Sequence, residues 1–191
     1  MLMFAVGGLL MLKEVEGIRA RKGGSLPVLG KVPDFSLVER SGAEISLDDL
    51  AGEVWIADFI FTRCVGPCPL LSAQMASLQK KLWDSPSVRL VSVTVDPERD
   101  TPELLTDYAR RFKADKDRWL FLTGEKEAVY DLVREGFQIP VSEDEDSDQI
   151  MHSLRFALVD QSGTVRAYYD GTDPNIAEKV LPDVGALLRE K

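Results

Sequence analysis

From about Val32 onward, apolar residues fall into short, regularly spaced runs whose period indicates the element each builds. Val54 to Phe61 (VWIADFIF) is apolar on both alternating faces except at Asp58, the pattern of a central strand covered on both sides. Val88 to Val95 (VRLVSVTV) and the shorter Trp119 to Leu122 predict two more strands. Between them the period lengthens. Leu71, Met75, Leu78 and Leu82 recur at helical spacing after Cys68, and Pro69 suits a first helical turn, so this stretch predicts a helix with one buried stripe. Thr101-Pro102 opens another helix with Thr101 as N-cap, continued by Leu105, Tyr108 and Phe112. Glu125 to Glu135 predicts a third, stopped at Gly136.

The flanks predict hairpins. Residues 32 to 47 (VPDFSLVERSGAEISL) give two short strands joined through Arg40-Ser41-Gly42. Leu154 to Val159 and Val165 to Tyr169 flank Asp160-Gln161-Ser162-Gly163, and a closing helix starts near Asn175. Strands alternating with helices imply an α/β fold with a central mixed sheet flanked by helices, plus the N-terminal hairpin. That layout resembles thioredoxin.

A length of 191 residues with 45% apolar content suffices for one full core plus an accessory segment. Met1 to Leu12 (MLMFAVGGLLML) is uncharged and apolar but shorter than the roughly 20 residues that span a bilayer. It reads as a membrane anchor or signal-type segment, the alternative being an element docked on the core. Residues 13 to 30 (KEVEGIRARKGGSLPVLG) are charged and carry glycine without sustained period, the composition of a linker, leaving 31 to 191 as the domain. Lys13, Arg19, Arg21 and Lys22 would mark a cytoplasmic flank under the positive-inside rule. No repeat is visible. A net charge of -9 argues against nucleic acid and anionic lipid headgroups as partners and in favour of a cation or a basic surface.

Only two cysteines are present, in Cys64-Val65-Gly66-Pro67-Cys68, and the loop they would close is too small to brace a fold. Their position at a strand-to-helix junction points to chemistry instead. The open N–H groups and positive end of the helix would stabilise a thiolate, which serves equally for disulfide exchange or for a thiophilic ion such as copper. Three intervening residues, where thioredoxin-type oxidoreductases have two, widen the bite toward chelation. His152 is the single histidine, just ahead of the last hairpin. Two thiolates and an imidazole make a three-coordinate set suited to Cu(I), with room for another ligand on Cu(II). Asp58 is a candidate to share a proton with a thiol, Asp96 a candidate to support the cysteine loop. Glu143 to Asp148 (EDEDSD) reads as a solvated loop or an attractor of a basic partner. Met75, Met151, Trp55, Trp83 and Trp119 read as packing.

The stretches FTRCVGPCP (61–69), VTVDPERDTPE (93–103) and FLTG (121–124), together with the His152 loop, resemble the Sco/SenC family of copper-binding proteins of cytochrome c oxidase assembly. The resemblance covers roughly residues 32 to 170. It implies a thioredoxin-like fold with one copper ion held by Cys64, Cys68 and His152, tethered to a membrane on the extracytoplasmic side. It also implies a metallochaperone that takes copper from a donor protein and delivers it to the dinuclear copper site of an oxidase subunit. The alternative is a thiol-disulfide oxidoreductase, with Cys64 and Cys68 catalytic, that reduces the cysteines of that subunit. A peroxiredoxin-type peroxidase suits the early hairpin but leaves His152 unexplained.

Overall fold

The computed structural model describes residues 25–140, 142–143, 150–151 and 154–190. The apolar segment Met1 to Leu12, residues 13–24 of the expected linker, His152 and most of the acidic run lie outside the described residues. No helix among the described residues is long and apolar enough to cross a membrane.

Ten strands appear in chain order: β1 (Gly30–Lys31), β2 (Ser36–Glu39), β3 (Glu44–Ser46), β4 (Val54–Ile60), β5 (Val88–Thr94), β6 (Trp119–Thr123), β7 (Ser142–Glu143), β8 (Ile150–Met151), β9 (Arg155–Val159) and β10 (Thr164–Asp170). Four helices accompany them: α1 (Cys68–Lys81), α2 (Pro102–Arg111), α3 (Lys126–Asp131) and α4 (Ile176–Leu187). Eight strands form one mixed sheet in the order β1-β10-β9-β4-β5-β6-β2-β3, and β7 pairs with β8 separately. The central three, β4, β5 and β6, are parallel and the outer pairings antiparallel. This is the expected thioredoxin-like arrangement with its added hairpin.

β4 is buried at all seven positions because helices cover both its faces. On one side, α1 packs beside α2 through a Ser72–Tyr108 hydroxyl contact of 2.9 Å and a bond from Gln79 Nε2 to the Lys113 carbonyl, and α1 also touches α4. On the other side Phe137, just past α3, packs edge-on against Trp55 and Phe59. The β2–β3 turn needs a residue at φ +87°, which Gly42 supplies.

Three features differ from the sequence reading. Helix α3 does not run regularly to Glu135 but widens into a π turn over Leu132–Gly136, whose end packs against Pro33 and Val32. β1 is an additional strand across the expected boundary between linker and domain, paired with β10. Ahead of it, Arg166 is buried and holds the start of the described chain, donating to the carbonyls of Leu26 and Pro27, to Ser25 Oγ, and to Asp160 and Glu190.

One close approach ties the last hairpin to α1. A Cβ on Gly171 would collide with Leu71 Cδ2 and lie 2.7 Å from the Leu154 carbonyl. Gly171→Ala is therefore expected to lower stability by roughly 1–3 kcal/mol through overpacking, read as a lower urea midpoint with unchanged slope.

Candidate functional site

At the C-terminal end of β4 the chain leaves the sheet through Phe61 to Pro67 and enters α1. The Cys64 amide donates to the Phe61 carbonyl at 3.2 Å, and the Leu70 and Leu71 amides close the helix start on the Pro67 carbonyl at 2.9 and 3.0 Å. Pro67 is the N-cap, so Cys68 is the first helical residue, one position ahead of the Pro69 start that the sequence suggests. Both cysteines are free thiols: Cys64 is half-buried, whereas Cys68 has no exposed surface. A hydrogen bond links Cys68 to Cys64, and the main chain of Phe61 also bonds the Cys68 sulfur. Val65 stands fully exposed at the loop tip.

Two buried carboxylates from the loop after β5 fix the approach to Cys64. Asp100 accepts from the Thr62 amide at 3.0 Å, from Thr62 Oγ1 at 2.5 Å and from Thr94 Oγ1 at 2.6 Å. Asp96 accepts from Arg63 Nε at 2.9 Å, with Arg99 3.6 Å away. Asp96 thus supports the cysteine loop, as anticipated. Asp100 was not singled out, although it closes the Asp-Pro-Glu-Arg-Asp motif, and Thr94 continues a polar file along an otherwise apolar strand.

Beneath the cysteines lies a second buried polar set. Asp58 sits directly across from Ser92 in the β4–β5 register. Trp119 Nε1 donates to Ser92 Oγ at 2.9 Å, and Ser92 Oγ donates in turn to Asp58 Oδ1 at 2.5 Å, while Asp58 Oδ2 has no hydrogen-bond partner. Burial with this one-sided solvation raises the Asp58 carboxyl to about 7, only partly opposed by the Ser92 bond. Burial also pushes the Tyr108 hydroxyl up, with the charge of Asp58 adding to it.

The sequence reading of an activated thiolate is reversed for Cys68. Burial, then the bond to Cys64, then the nearby charges of Cys64 and Asp58 push its thiol far above the ordinary range. Desolvation outweighs the helix end because no water reaches the sulfur. A cation must therefore displace the Cys68 proton to bind.

Met75 and Trp119 are fully buried and Trp55 nearly so, in line with packing roles, whereas Trp83 is 51% exposed. Among the described residues no third His, Cys, Asp or Glu joins the cysteines into a ligand cluster. The pair itself is a soft-donor set at the mouth of a helix, which suits copper.

The family model described as SCO1/SenC matches residues 28–188. The chain belongs to the SCO1/SenC family. A SCO1 protein homolog of Bacillus subtilis (strain 168) is 37% identical over 160 residues, covering 83% of each chain. A Stutzerimonas stutzeri protein named for copper binding is 31% identical over 147 residues, covering 75% of this chain and 71% of that one. Among solved structures, BsSco superposes with a TM-score of 0.78 at 35% identity, covering 88% of this chain and all of that one. BsSco is described as a member of the Sco family of cytochrome c oxidase assembly proteins in which a disulfide switch was identified. In this SCO1/SenC chain the cysteine motif and the Asp-Pro-Glu-Arg-Asp motif form one physical unit, because the second supplies the carboxylates that pin the first.

Asp100→Ala leaves the Thr62 amide and two hydroxyls without their acceptor and is expected to destabilise the chain by about 2–3 kcal/mol in urea unfolding. Asp58 gives a pH signature. Its folded value of about 7 lies above the unfolded 3.8, so its contribution is full below pH 4 and is lost as pH rises through 7. Wild-type stability should therefore fall across that window relative to Asp58→Asn, and two urea midpoint curves that run parallel from pH 4 to pH 8 would refute this.

Proposed function

We propose that the protein is a copper-binding assembly factor that carries one copper ion on Cys64, Cys68 and His152 and passes it to the dinuclear copper site of a cytochrome c oxidase subunit. The observation that carries the reading is the unequal pair of free thiols at the start of α1, one half-exposed and one sealed, in a chain of the SCO1/SenC family. Copper here is cargo. The buried Cys68 sulfur would retain the ion, while the accessible Cys64 sulfur would be the first to yield to an incoming thiolate. Asp100 and Asp96, by holding Thr62 and Arg63, keep Cys64 in place during that exchange. His152 would bring the third donor from the segment ahead of β9. The copper-binding name of the Stutzerimonas stutzeri relative and the oxidase-assembly role of the Sco family support this reading, as does the softness of the donors. The apolar Met1 to Leu12 stretch would tether the domain to a membrane, with the domain on the extracytoplasmic side.

A second reading is favoured by the proximity of two free thiols and by the disulfide switch in BsSco. The Cys64 thiolate attacks a sulfur of the target disulfide, one target thiolate leaves, and Cys68 then attacks Cys64 to release the second. The target is reduced by two electrons and the Cys64–Cys68 pair is oxidised by two.

Titration with Cu(II) should give one ion per chain with a sulfur-to-copper charge-transfer band. His152→Ala should weaken binding by at least about tenfold while leaving disulfide reduction intact. Unchanged copper affinity in His152→Ala would rule out the three-donor site, and rapid disulfide turnover without copper uptake would favour the reductase.

A further inference from the structure

The net charge of -9 conceals a strong asymmetry along the molecule. β4, β5 and β6 run in parallel, so α1 and α2 both descend the same face and end at the pole opposite the cysteines. There, residues 80–84 and 107–118 hold seven basic side chains (Lys80, Lys81, Arg110, Arg111, Lys113, Lys116, Arg118) against four acidic ones (Asp84, Asp107, Asp115, Asp117). The two helix ends are one continuous surface. Gln79 bonds the Lys113 carbonyl and the Asp115 amide, and Arg118 bonds the carbonyls of Leu82 and Ser85. Lys80, Lys81, Lys113 and Lys116 are exposed, and none forms an ion pair among the described residues. In their midst stands Trp83, 51% exposed, with the Arg118 guanidinium 5.1 Å from its ring centre. An aromatic ring with cations around it is the composition of a surface that sits at lipid headgroups.

The start of the described chain is at the same pole. Ser25 and Glu190 meet beyond the end of α4, and Gln161, in the β9–β10 turn, bonds the Leu187 carbonyl. Twenty-four residues precede Ser25, the first twelve of them apolar. The twelve between could extend about 40 Å, so a tether alone would let the domain turn any side to a bilayer. Thirteen residues of helical rise separate Cys68 from Lys81, the last residue of α1, about 20 Å.

We propose that the pole formed by Trp83, Arg118 and the C-terminal ends of α1 and α2 rests on an anionic lipid surface and holds the cysteine loop facing away from it. Outside residues 80–84 and 107–118 the chain carries an excess of acid, so a negatively charged surface favours this patch over the rest of the domain, which fixes an orientation. The proposal rests on the tether reading of Met1 to Leu12.

The test uses the full chain with vesicles of brominated phosphatidylcholine, with and without phosphatidylglycerol, reading tryptophan emission and co-sedimentation separately. Trp55 and Trp119 are buried and do not report. Expected is quenching in the anionic vesicles alone, lost in Trp83→Phe, reversed by salt, and with its docking equilibrium weakened at least roughly tenfold in Lys80→Gln with Lys81→Gln. Co-sedimentation with equal or absent quenching in the two lipids overturns the proposal and leaves the tether standing, as does self-association through these residues without quenching. Failure to sediment with either vesicle overturns both.

Discussion

The site depends on one carboxylate. Asp100 joins the ends of two neighbouring parallel strands by accepting from Thr62, just past β4, and from Thr94, the last residue of β5. Without it the chain between Ile60 and Pro67 would have only the Asp96–Arg63 pair and the sheet behind it to set its course. With it, Thr62 and Arg63 are fixed on the Asp96–Asp100 turn, and the two cysteines follow from covalent geometry and the start of α1. Bonds to a charged acceptor inside a closed environment are stronger than neutral ones, which suits them to holding a short, exposed loop in one conformation.

Around that anchor the environment is divided by depth. Cys64 and Val65 face solvent, Cys68 is sealed, and Asp58 lies deeper still with one oxygen unsolvated. Each step inward makes a negative charge harder to hold. A cation held by so deeply buried a thiol would have to displace its proton, which would couple uptake to proton release. The polar chain Trp119–Ser92–Asp58 and the Ser72–Tyr108 pair give this interior its hydrogen bonds, with Asp58 Oδ2 left over.

Much of this was legible in the residues because the local signals were strong. The unbroken apolar run of β4, the Thr101 cap and the glycine turns each specify an element without help from the rest of the chain. The cysteine loop was legible as a site for the same reason, since two thiols at a helix start have few structural uses. What escaped were interactions between residues far apart in sequence. Asp100 with Thr62, Ser92 with Asp58, and Arg166 with Ser25 become neighbours only once strand order and register are known. The direction of the Cys68 shift escaped because burial depends on what packs over the helix start, whereas the helix dipole can be read from position alone. The π turn after α3 left no periodic trace, since one additional residue in a short helix does not disturb its apolar stripe.

The Arg166 clasp has a mechanical meaning. It gathers Ser25, Leu26, Pro27, Asp160 and Glu190 onto one guanidinium on β10, next to the edge strand and two strands removed from β4. A pull on the N-terminal end of the domain, whatever its source, is borne first by these bonds and by the short β1–β10 ladder. The load passes into the edge of the sheet and the last helix before it reaches the strand that carries the thiols. The clasp acts as a strain relief, so motion transmitted along the chain from its start leaves the spacing of Cys64 and Cys68 undisturbed.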